Sequence, residues 1–158
     1  MAEASEDTNW IKNILVLLLL TGAYYFGVRL CDALTAAAGV GWLKDLSTAW
    51  SLSHHGHAVL MSLLNLVEIS VIAIPVGGII GKMVPRHAVW IAILVAFPGC
   101  LPFARILWLQ LSSPWMLQVM GLHFTPFTIG LMSFDGLKTL LLPSIFTVIV
   151  PRLLPAKR

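Results

Sequence analysis

Apolar residues in this chain come in long unbroken runs rather than in the alternations of a half-buried strand or the stripes of a surface helix. A bilayer core about 30 Å thick needs about 20 such residues in helical form. Residues 11–31 supply a first span, dominated by the leucines around Leu15 to Leu20. Residues 58–82 supply a second, 88–111 a third, and 137–154 a shorter fourth interrupted by Pro143 and Pro151. Helix is required because lipid offers no water to an unpaired backbone. The pattern predicts an all-α integral membrane protein, one polytopic domain over 1–158, with segments 32–57 and 112–136 outside the membrane.

The stretch 114–134 fits this scheme least well. It is apolar, yet it holds Gln118, His123, Pro126 and two glycines, with Trp115 and Phe134 bracketing it like interfacial aromatics. It is expected to be a re-entrant or interfacial segment before the last helix, with a fifth span as the alternative.

Composition agrees with the pattern. The chain is 58% hydrophobic and 11% charged, where a soluble domain has about 25% charged residues. The net charge of +3 concerns orientation more than partners, since the basic residues form no cluster suited to nucleic acid. Lys and Arg accumulate in short cytoplasmic loops. With four spans, Lys12, Lys82, Arg86, Arg152, Lys157 and Arg158 share one side, against Arg29, Lys44 and Lys138 on the other. The expectation is an inner (plasma) membrane protein with both termini cytoplasmic. The first apolar run resembles a secretory leader, but Glu3, Glu6 and Asp7 oppose a positive leader region. It is therefore read as an uncleaved span. Cys31 and Cys100 are too few for a disulfide framework.

Candidate chemistry concentrates on the second span. Glu68 lies near its middle, where a carboxylate costs about 3 kcal/mol on insertion scales. At about 100° per residue, His57, Met61, Asn65 and Glu68 fall within about 80° of one another, and His54 joins them if the helix passes Gly56. Three readings fit the stripe. Asn65 and Glu68 can bond to neighbouring helices or a partner subunit. Glu68 can carry protons or cations along a path. His54 and His57, with Met61 as a soft ligand, can form a metal site at the outer mouth. Arg105 on the third span is within reach of Glu68 if the helices are antiparallel, and otherwise snorkels toward the head groups.

Small residues suggest packing surfaces. Ala33, Ala37 and Gly41 recur every four residues, as do Gly77 and Gly81, the spacing that lets membrane helices approach closely. Arg29 and Asp32, three apart, are expected to pair. No catalytic motif is present and Glu68 is taken as the sole deeply embedded acid, so no enzymatic activity and no cofactor are expected. The function expected is that of a small accessory subunit in a larger membrane complex of secretion, conjugation or respiratory type. Its partners would be the lipid bilayer and other membrane subunits or further copies of itself, with no nucleic acid. The alternative is an oligomeric proton or metal-ion conduit centred on Glu68.

Overall fold

The computed structural model describes residues 3–112 and 125–153, and among them it forms five helices and no strand. In chain order these are α1 (Glu3–Val40), α2 (Trp42–Ala49), α3 (His54–Met83), α4 (Ala88–Ser112) and α5 (Pro126–Leu153). Four of them, all but α2, are long and apolar enough to cross a membrane. The fold is thus an all-α bundle of four candidate spans. Most of the expected re-entrant segment lies outside the described residues, and its last part belongs to α5.

The helices run further than the apolar stretches that announced them. Segment 32–40 is rich in alanine, the best helix former, so α1 continues to Val40 before the chain breaks at Gly41. Ser53 caps α3 by accepting from the Gly56 N–H at 3.2 Å. Thr125 does the same for α5 at the Thr128 N–H, also 3.2 Å. Pro126 then fills the first helical position, where its missing N–H leaves nothing unsatisfied. Thus α5 begins at Pro126, and Pro143 and Pro151 sit inside it without ending it. Between α2 and α3, Ser51 takes φ 53°. Leu52 N–H bonds to Ser47 C=O and Ser51 N–H to Thr48 C=O, a left-handed helix terminus more often built on glycine.

Close contacts fix the helix directions. Gly27 of α1 faces Ile72 of α3 and Gly39 faces Met61, so α1 and α3 are antiparallel. Gly77 faces Pro143 and Phe146 while Gly81 faces Thr147 and Pro151, so α3 and α5 are parallel. Gly99 of α4 meets Thr139 and Gly136 meets Phe103, which sets α4 against α5. The beginning of α1, the 84–87 turn and the end of α5 therefore share one end of the bundle. The short helix α2 lies at the other, turning Leu43 and Ser47 inward while Trp42 and Trp50 are exposed.

The core is made of small and β-branched side chains. Tyr24, Val28 and Cys31 of α1 meet Ile69, Ala73, Val76 and Ile80 of α3 and Ala92, Val95 and Ala96 of α4. α5 contributes a polar inner face of Thr139, Ser144 and Thr147, while Leu137, Leu141, Ile145 and Ile149 face outward. Its hydroxyls bond to backbone carbonyls, Thr139 to Asp135 and Thr147 to Ser144. Such a reversed pattern suits lipid, whose tails are as apolar as leucine and leave helix association to close packing and hydrogen bonds. Tyr24 adds a cross-bundle bond, its hydroxyl donating to the Thr139 carbonyl at 2.5 Å.

Candidate functional site: a polar layer within the bundle

Polar side chains from three spans meet in one layer, in the half of the bundle nearer α2. One side of the layer joins α1 to α3. Asn65 is buried and its amide donates to Asp32 Oδ1 at 3.3 Å and to Thr35 Oγ1 at 3.2 Å. The Thr35 hydroxyl in turn donates to Glu68 Oε2 at 2.7 Å. Arg29 holds the other Asp32 oxygen at 3.4 Å. These contacts follow from the antiparallel register, which brings positions 32 and 35 of α1 level with 65 and 68 of α3.

The other side joins α3 to α5. Lys138 has a side chain only 3% exposed; its ammonium lies 2.6 Å from Asp135 Oδ1 and donates to the Ser62 carbonyl at 2.9 Å. Ser62 Oγ donates to the same Asp135 oxygen at 2.5 Å. A lysine so deep is tolerable because a carboxylate and a carbonyl both receive it. Between the two sides lies a cleft of about 260 Å³, lined by Asp32, Thr35, Ser62, Asn65 and Asp135 together with Phe103 and other apolar side chains. Among the described residues no buried side-chain nitrogen or oxygen lacks a partner. Three carboxyl groups, Asp32, Glu68 and Asp135, meet two cations, Arg29 and Lys138. Counted by residue type, the layer has one more acid than base, since Arg29 pairs with Asp32 and Lys138 with Asp135 while Glu68 bonds to the Thr35 hydroxyl.

Several expectations change here. Glu68 is not the sole embedded acid, since Asp32 and Asp135 lie within candidate spans too. Lys138, counted among the charges outside the membrane, is buried because α5 starts eleven residues before position 137. Glu68 and Arg105 do not pair. Glu68 bonds to Thr35, whereas Arg105 is exposed on α4 and faces a groove between α1 and α4. Arg29 and Asp32 do pair, as their spacing suggests.

The histidines at the outer end of the stripe meet different neighbours. His54 is exposed, His55 sets its ring edge-on to Phe127, and His57 Nδ1 lies 3.0 Å from Ser47 Oγ. Met61 packs on Gly39. Among the described residues no three His, Cys, Asp or Glu side chains gather in a way that could hold a metal ion. Of the small-residue rows, Gly77 and Gly81 are buried against α5, while Ala33, Ala37 and Gly41 are exposed. The inward row of α1 is instead Val28, Cys31, Thr35 and Gly39. Two positions of offset rotate a helix face by about 200°, which puts the alanine row opposite the core. Cys31 and Cys100 are both free.

Asp32, Thr35, Asp135 and Lys138 were the members the apolar runs concealed. The signal for the α5 pair is Thr125–Pro126, a cap followed by a first-turn proline, which moves the helix start outward and draws both charges into the span. Comparison of the chain with family models, with curated protein sequences and with solved structures gives no match.

Proposed function

We propose that this multi-pass protein serves as a non-enzymatic subunit of a larger membrane complex, or of an oligomer of itself, with Glu68 at the contact. The observation that carries this reading is the position of Glu68. It lies near the middle of α3 and is half-buried, one oxygen bonded to Thr35. It also lines a cleft of about 400 Å³ at the bundle surface with Leu34, Ala37, Trp42 and Leu64. The exposed row of Ala33, Ala37 and Gly41 runs alongside. A carboxyl facing lipid at that depth is costly, by about 3 kcal/mol, and a partner helix bearing a donor removes the penalty. Small side chains let the partner's backbone come close. Lys12, Lys82, Arg86 and Arg152 sit toward the end opposite α2, which supports a cytoplasmic location for that end in an inner membrane.

A second reading, a proton or cation conduit, draws on the linked bonds from Asp32 through Asn65 and Thr35 to Glu68 and on the surplus carboxyl beside the cleft. One substitution separates the two. In the subunit reading Glu68→Gln weakens recovery of partner subunits, or of the oligomer, in mild detergent and leaves ion flux in proteoliposomes unchanged. Purified protein that conducts on its own and loses flux on Glu68→Gln overturns it in favour of the conduit.

A further inference from the structure

A cation placed within a membrane-spanning helix calls for an anion. Arg105 lies in the candidate span Ala88–Ser112, exposed at the surface of the bundle. Among the described residues its side chain makes no hydrogen bond or ion pair; the pairs there are Arg29 with Asp32 and Lys138 with Asp135. It faces a groove of about 870 Å³ between α1 and α4, and Arg29 enters the same groove from α1. Tyr25, Pro102 and Trp108 supply much of the wall, and among the described residues no acidic side chain lines it. Asp32, which touches Arg29 at 3.4 Å, belongs to the cleft on the other side and is held there by Asn65. The Arg29 guanidinium also sits 5.6 Å from the Tyr25 ring centre. Of its five N–H donors, most remain for another acceptor.

We propose that this groove seats an anionic phospholipid, with its phosphate between Arg29 and Arg105. Depth supports a lipid as the occupant. Arg105 lies about 8 Å from the middle of α4 toward the α2 end, and the hydrocarbon edge is about 15 Å from the midplane. An arginine side chain covers most of that difference by snorkelling. Trp108, 69% exposed and one turn further out, stands where interfacial aromatics gather at head-group level. The groove is far larger than a phosphate needs, and its apolar wall of Leu101, Ile106 and Leu109 fits a glycerol backbone and upper acyl chain.

The test is native mass spectrometry of the full chain in mild detergent, titrated with phosphatidylglycerol and, separately, with phosphatidylcholine. The wild type should prefer phosphatidylglycerol, and Arg105→Gln should lower that preference about tenfold, the size of one charge-assisted bond. Arg29→Gln should act in the same direction, while Arg152→Gln, at the far end of the bundle, should not. If Arg105→Gln fails to fold, Arg105→Lys, which keeps the charge and loses the two-pronged donor, should show a smaller drop. Equal binding of the two lipids, or a preference indifferent to Arg105, overturns the proposal. Displacement of phosphatidylglycerol by millimolar inorganic phosphate makes the groove a free-anion site, and loss of a co-purifying protein rather than lipid makes it a subunit contact; either also overturns it. Glu68→Gln should leave lipid preference intact, so this outcome is independent of the subunit reading.

Discussion

The seam between α3 and α5 is built in two different ways along its length. Toward α2 it is polar, with Ser62, Asp135 and Lys138 locked together by bonds of 2.5–2.9 Å. Toward the other end it is dry and close. A Cβ added to Gly77 would lie 2.5 Å from the Pro143 carbonyl oxygen, and one added to Gly81 would lie 2.6 Å from that of Thr147. The first half is specific because each polar group has a named partner, and the second because only glycine admits the neighbouring backbone. A seam held by glycine contact resists everything except added volume, whereas one held by charge fails when a single partner is removed. The polar half is also where the cleft opens and where α1 joins through Asn65, so the open space lies in the part of the seam that is not close-packed.

The largest effect should come from breaking the ion pair. Lys138→Met leaves Asp135 without its cation, and loss of one partner of a buried pair costs about 3–5 kcal/mol. Unfolding by denaturant in detergent micelles should show that loss, and adding Asp135→Asn should restore a good part of it. If the single variant unfolds like the wild type, the polar half is not holding the seam. Next is the close-packed half. Gly77→Val forces side-chain carbons against the α5 backbone and should cost about 1–3 kcal/mol, as overpacking does, with Gly78→Ala milder. The Cβ of Gly78 would meet a Val150 methyl at 2.9 Å and its Cβ at 3.5 Å, side-chain atoms rather than the α5 backbone. A Gly77→Val variant as stable as the wild type would show that this contact can widen at little cost. The smallest effect belongs to the link between the polar half and α1. Asn65→Leu removes bonds to Asp32 and Thr35, and membrane hydrogen bonds of this kind contribute about 1 kcal/mol together. Beyond stability, that substitution should change the accessibility of a cysteine placed at Ala36 on the cleft wall, readable by labelling rate.

Membrane insertion, helical class and the number of long apolar helices were written in the runs themselves, because a bilayer asks only for enough consecutive apolar residues and closed backbone bonds. The glycine pair at 77 and 81 was legible for a related reason, since absent side chains matter on whatever helix lies opposite. Asn65 and Glu68 stood out because a polar residue inside a long apolar run is conspicuous. What the chain could not disclose was which neighbour each would meet. Lys138 and Asp135 seemed to be ordinary surface charges until the cap at Thr125 drew them into α5. Arg105 looked like the counterpart of Glu68 until the bundle put them on opposite sides of α1. The alanine row gave no sign of facing out of the bundle, yet Tyr24, Val28, Cys31 and Thr35 turn inward and leave it on the outer surface. Spacing along one helix fixes which side chains share a face, but rotation about the helix axis depends on the fit to every other helix at once, and only the assembled bundle settles it.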